Sequence, residues 1–260
     1  MLKEEQDWQK EFRKVIILKD NKMKTITKIL TAGVAITAAI LLPGQADAQE
    51  ITGNVNTTVA NNYLVNGFSF DNNPTLFLNG SITANTGNTS ITALGIHSRD
   101  IKNHFNGKTS WVEWTGMLDI SKDFGIGTGS VGAYYSALPN DIFGISDING
   151  VYGSFKTNTN PYFQIFADNG LKNINGLMTK LTASGSTEIL GRNVNAGVEL
   201  GIINDYFIKK KGLNHLSFDF NSDIISDGPL KVSAALKYQK GIGKETITGF
   251  QGKLTVSRDF

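Results

Sequence analysis

From residue 51 to the end of the chain, apolar and polar side chains alternate with a period of two, again and again, with no apolar run long enough to make a membrane-spanning helix. The segment after Pro229 is the clearest case. Leu230, Val232, Ala234, Leu236 and Tyr238 alternate with Lys231, Ser233, Ala235, Lys237 and Gln239, which describes a strand with one dry and one wet face. Val112, Trp114, Gly116, Leu118 and Ile120 alternate in the same way with Trp111, Glu113, Thr115, Met117 and Asp119. So do Val194 to Ile202 against Asn195 to Gly201, and Leu216, Phe218 and Phe220 against His215, Ser217, Asp219 and Asn221.

The alternation predicts about twelve strands, near 51–66, 75–84, 89–98, 109–120, 126–137, 150–156, 161–168, 176–186, 193–203, 213–221, 230–240 and 246–260. Most reach the roughly 9–11 residues that a tilted transmembrane strand needs. Their connections alternate in length. Asn85-Thr86-Gly87-Asn88, Ser121 to Gly125 and Thr157 to Asn160 read as tight turns, while 67–74, 99–108, 139–149 and 204–212 read as longer polar links. The segment 222–229 is long for the tight side. Short turns at one end and long loops at the other are the habit of outer-membrane barrels. Lipid offers the backbone no hydrogen-bond partners, so strands placed there must close on themselves. The expected fold is an all-β, antiparallel up-and-down transmembrane barrel of about twelve strands over residues 49–260.

The first 48 residues differ in kind. Met23 to Lys28 is basic, Ile29 to Leu42 is apolar, and Gln45-Ala46-Asp47-Ala48 offers a small-x-small cleavage box. That order is a secretory signal peptide over 23–48, its apolar stretch too short for a spanning helix. Residues 1–22 precede it and read as an N-terminal extension from a start placed too early. The first 48 residues hold 8 of 25 basic and 6 of 23 acidic residues, leaving 17 of each sign after them. A neutral mature chain gives no argument for nucleic-acid binding. Cysteine is absent, which suits a barrel whose closure removes the need for disulfides.

The opening Thr57-Thr58-Val59-Ala60-Asn61-Asn62-Tyr63-Leu64-Val65-Asn66-Gly67, followed by Asp71-Asn72-Asn73-Pro74-Thr75-Leu76, resembles a family of uncharacterised bacterial outer-membrane barrels, the Gcw_chp type. Asn66 stands where Arg is usual in that family. The resemblance implies location and fold and brings no catalytic residues. The end, Lys253 to Phe260, resembles the C-terminal signature that the assembly machinery of outer-membrane barrels reads, with Phe260 as the assembly signal and Arg258 where an apolar residue is more common.

His215-Leu216-Ser217 resembles the catalytic His-x-Ser of outer-membrane lipid hydrolases, because side chains at i and i+2 share a face. Phe218-Asp219 replace the Asn and small residue that follow there, Pro229 falls where the third member belongs, and the pair shares its face with Asp219 and Asn221. The expectation is a polar lumen strand and no enzyme. His97 and His104 lack partners at metal spacing, and Gly125 to Gly129 precedes no helix, so neither a metal nor a dinucleotide cofactor is expected. Trp111, Trp114, Tyr134, Tyr135, Tyr162 and Tyr238 are candidates for interfacial aromatic girdles, or for packing in the lumen.

The expected lumen face carries Glu113, Asp119, Glu199 and Asp219 together with Lys180, Lys231, Lys237 and Lys253. Inward charges must meet water or one another. The alternatives are a water-filled path for small hydrophilic solutes between walls of opposite sign, or a plugged barrel acting through its external loops. The first is the leading expectation, with outer-membrane lipid and the barrel-assembly machinery as further partners.

Overall fold

The computed structural model describes residues 50–260 apart from 67, 72, 102–111, 139–146, 173, 175, 207–208, 227, 229 and 243–245. The leader and the extension before it lie outside the described residues, as does Trp111. The strands are β1 (Glu50–Ala60), β2 (Tyr63–Val65), β3 (Phe68–Asp71), β4 (Thr75–Thr86), β5 (Thr89–Asp100), β6 (Val112–Asp123) and β7 (Gly127–Ala137). They continue with β8 (Asp147–Thr157), β9 (Tyr162–Lys172), β10 (Gly176–Ile189), β11 (Arg192–Asn204), β12 (Lys211–Ile225), β13 (Lys231–Gly241) and β14 (Gly249–Asp259).

Twelve of these strands form one closed antiparallel barrel in which each pairs with its neighbours in sequence and β1 closes on β14. The hairpin β2–β3 is a separate two-stranded sheet. Closure leaves no free edge. It is sealed by Val55 opposite Arg258 and Thr57 opposite Val256, and by paired backbone bonds between Gly53 and Phe260 of 2.7 and 2.9 Å.

The register fixes which side chains share a face. Val198 stands opposite Phe218, Phe218 opposite Tyr238 and Tyr238 opposite Phe250, so these residues line one outer surface. Val55, Leu78, Val131, Phe218, Leu236 and Leu254 are all exposed there. Residues of intervening parity point inward. The apolar set is outside and the polar set inside, the reverse of a water-soluble barrel.

At one end the connections are tight. Gly87 takes φ +57°, and Asp123 Oδ1 accepts the Gly125 backbone N–H at 2.7 Å, with Gly125 at φ +83°. The chain positions Glu50 and Phe260 lie at this turn end. The longer connections, including the one that carries β2–β3, lie at the loop end.

Differences from the expected strands have local causes. The first expected strand, 51–66, ends at Ala60, and the chain turns at Asn61–Asn62 before β2 begins. The short pieces expected at 150–156 and 161–168 are full strands, Asp147–Thr157 and Tyr162–Lys172, with a register shift at Asn149/Gly150 that interrupts the alternation. β12 extends to Ile225 past a second shift at Asp223/Ile225, which shortens the expected 222–229 link. The expected links at 99–108 and 139–149 fall largely outside the described residues.

Candidate functional site: the lumen

All eight expected lumen residues lie on the inward parity of their strands. Four of them converge on one wall. Glu199, on β11, accepts from His215 Nε2 at 2.9 Å and faces Lys180 Nζ of β10 at 3.8 Å and Lys237 Nζ of β13 at 3.7 Å. Lys237 also reaches Asp219 at 3.8 Å. The strand pattern builds this cluster because antiparallel partners offset by two residues share a face within reach of long side chains. Lys180 further lies 5.2 Å from the centroid of the Phe166 ring, a cation–π contact. Lys253 projects inward from β14 within electrostatic reach of Lys237 and Asp219. Lys231 sits apart, at the turn-end rim, paired with Asp259 at 2.6 Å.

Other inward carboxylates are held differently, on β6 opposite this cluster and on β9 beside it. Asp119 accepts from the Tyr152 hydroxyl at 2.8 Å, Glu113 from Tyr63 at 2.8 Å, and Asp168 from Tyr206 at 2.5 Å and Tyr134 at 3.3 Å. Thr115 and Ser98 also donate to Glu113 at 2.9 and 3.3 Å. Tyrosines thus hold carboxylates on β6 and β9, while lysines hold carboxylates on β11 and β12. The expected set missed Asp168 and these tyrosines. The signal that could have found them is Tyr134 next to Tyr135: adjacent strand residues face opposite ways, so one of the two must point inward. Of the girdle candidates, Tyr134 and Tyr162 occupy inward positions. Trp114, stacked on His97 at 3.9 Å between centroids, Tyr135 and Tyr238 lie on the outer face.

Among the described residues, burial of the inward side chains deepens toward the loop end. Along β12, His215 and Ser217 are fully buried, whereas the Asp219 side chain is 45% exposed two residues nearer the turn end. Asn214, Gln239, Gln251, Ser98 and Asp100 are likewise buried in the loop half. Tyr63, just past the end of β1, packs its ring edge-on against inward-facing Phe77 at 5.0 Å while its hydroxyl bonds Glu113. Leu64 is buried, the Asn66 carbonyl accepts from Asn214 Nδ2 at 2.6 Å, and the Asn62 carbonyl accepts from Gln251 at 2.7 Å. β6 and β12, which carry Glu113 and Asn214, stand six places apart either way round the ring, on opposite walls. The contacts of residues 62–66 therefore reach opposite walls at the loop end. Beside it, Ile174, Met178, Ile203 and Tyr206 form an apolar cluster. Burial first, then the neighbouring Glu113 or Asp168, holds the Tyr63 and Tyr206 hydroxyls well above the usual phenol range, so both remain donors throughout ordinary pH.

Among the described residues, the inward face is thus charged at mid-strand and more deeply buried toward the loop end. His215 bonds Glu199 through Nε2 and approaches Asn214 through Nδ1 at 3.2 Å, so both ring nitrogens are engaged away from Ser217, and both side chains face the lumen rather than lipid. Among the described residues no group of three or more His, Asp or Glu is placed to hold a metal ion.

No family model matches the chain, and no curated protein matches it. Solved structures with a similar course include an outer membrane channel from Pseudomonas putida F1, 10% identical, covering 84% of this chain and 99% of that one, with a TM-score of 0.47. The outer membrane channel DcaP of Acinetobacter baumannii is 9% identical over 82% and 97%, TM-score 0.42. Outer membrane phospholipase A from Escherichia coli is 9% identical over 85% and 96%, TM-score 0.44. Channels and an enzyme stand together in this set, and likeness so distant assigns no activity.

Proposed function

We propose that this chain is an outer-membrane barrel of a Gram-negative bacterium and that it passes small hydrophilic solutes through its lumen. The outer-membrane reading rests on the apolar outer face: a closed barrel with exposed Val, Leu and Phe around it needs lipid. The signal-peptide pattern of residues 23–48 agrees with export.

The observation that carries the channel reading is the partial exposure of the charge cluster at the middle of the strands. Side chains of Lys180, Glu199 and Lys237 are 21%, 16% and 17% exposed, facing inward. Ionic groups at membrane depth are stable only where they meet partners or water, and these have both. Lysines of β10, β13 and β14, across the ring from Glu113 and Asp119 of β6, set a field across the path that favours polar solutes.

Purified mature chain in a planar bilayer tests this. Reproducible conductance steps whose ion selectivity shifts toward cations in Lys237→Glu are expected. A second reading, a closed barrel acting through its external loops, is favoured by the deeper burial of the inward side chains toward the loop end. A folded, heat-modifiable barrel that never conducts would decide for it.

A further inference from the structure

We propose that Lys253, with Lys237 beside it, is a binding stop for small carboxylate anions in the lumen; the proposal rests on the channel reading above and gives it a substrate class. Lys253 points inward at mid-strand on β14, directly opposite Ala235 of β13 and Ala60 of β1. Lys237 stands opposite Gln251, so it is the diagonal neighbour of Lys253 on the same face.

The charges of this wall do not balance. Lys180 and Lys237 share Glu199, which also accepts from His215, and Lys237 has Asp219 as its second acid. Among the described residues, no carboxylate is paired with the Lys253 ammonium. Three ammonium groups against two carboxylates leave one positive charge unmatched. The other side of β14 offers no relief: β1, β4 and β5 bring Asn56, Thr58, Asn79, Ser81 and Thr92 to the middle of the lumen and no acid. The carboxylates of β6 and β9 are held by tyrosine hydroxyls. A cation at membrane depth beside a second cation draws an anion from the aqueous path.

The surroundings of Lys253 select the kind of anion. Thr58 Oγ1 and Thr255 Oγ1 bond each other at 2.8 Å one step toward the turn end, and whichever donates, the other hydroxyl keeps its hydrogen for a further acceptor. Two ammonium groups and this hydroxyl are donors, so the part of the solute that enters must accept. Ala235 and Ala60 on either side leave room for a short carbon body. A monocarboxylate matches both the donor set and the single unmatched charge.

Acetate is the minimal probe. Saturation transfer to its methyl group is measured on the barrel refolded into phosphatidylcholine nanodiscs, with empty discs as the blank, and heat-modifiability on gels confirms that each variant folds. Saturable binding is expected in wild type, in Lys253→Arg, and in Lys240→Gln, which removes an exposed lysine from the outer face of β13. Lys253→Gln should weaken binding by about tenfold, and Ala235→Glu, which builds a carboxylate in beside Lys253, should do the same. In planar bilayers acetate should lower the chloride current of wild type and leave that of Lys253→Gln unaltered. Chloride currents without saturable acetate binding, or binding that neither substitution weakens, would overturn the anion site and leave the channel standing. Binding that depends on Lys253 in a barrel that never conducts would support the site and overturn the channel reading.

Discussion

The imidazole of His215 lies against Gly201, its partner across β11 and β12, so closely that a Cβ at 201 would stand 2.1 Å from the ring carbon Cε1. Glycine at this position is what lets the ring lie flat on the wall and turn Nε2 to Glu199. Gly201→Ala should displace the ring, break the 2.9 Å contact and destabilise the folded barrel by about 1–3 kcal/mol. Urea titration of the protein refolded into lipid vesicles measures this, and Gly197→Ala, whose Cβ would meet its nearest atom, Ser184 Cβ, at 3.2 Å, is the milder comparison.

Neighbouring residues of β13 should respond in opposite ways to polar substitution. Leu236, mid-strand and exposed on the outer face, would place a charge against lipid as Leu236→Arg, at about 2–4 kcal/mol. Ala235 faces the lumen, and Ala235→Gln should change stability by less than about 1 kcal/mol. Equal losses in the two folding titrations would invert the assignment of faces.

Glu199 is the anion shared by Lys180, Lys237 and His215. Glu199→Gln leaves the lysines facing one another with Asp219 as the remaining acid nearby. Full burial would make that loss about 3–5 kcal/mol, but these side chains keep 16–21% exposure, so about 1–2 kcal/mol is expected. In bilayers the same variant should shift selectivity toward anions.

The geometry at Ser217 predicts no lipid hydrolysis. His215 directs its ring nitrogens to Glu199 and Asn214, and Ser217 is buried on the lumen side. Phospholipid vesicles incubated with the protein should release no fatty acid above background. Release that Ser217→Ala abolishes would contradict this and reopen the resemblance to lipid hydrolases.

The barrel was legible in the sequence because a strand with one lipid face must alternate, and β6 and β13, with the central parts of β11 and β12, alternate without interruption. Legibility failed where backbone irregularity shifts the phase, as at Asn149/Gly150 and Asp223/Ile225. It failed again at Tyr63–Val65, which continues the period of β1 although the chain has already turned; Asn66 at φ +56° marks the departure. The inward direction of Glu113, Asp119, Glu199 and Lys237 follows from parity alone. Their partners do not, because Tyr63 reaches Glu113 from outside the barrel sheet and Tyr152 of β8 reaches Asp119 across β7, and that reach depends on stagger and on which segments fold inward. The inward contacts of residues 62–66 were therefore outside what alternation can encode.

The central claim is a lumen face that is wet at mid-strand and more deeply buried toward the loop end, and single cysteines placed in this cysteine-free chain test it most directly. Asp219→Cys, Ser217→Cys and Leu236→Cys would be exposed, in lipid vesicles, to a charged, membrane-impermeant thiol reagent with access to both ends. The account predicts fast labelling at 219, labelling at 217 slower by at least about tenfold, and protection at 236. Equal labelling at 217 and 219 would contradict the deeper burial toward the loop end, and rapid labelling at 236 would contradict a lipid-facing outer wall.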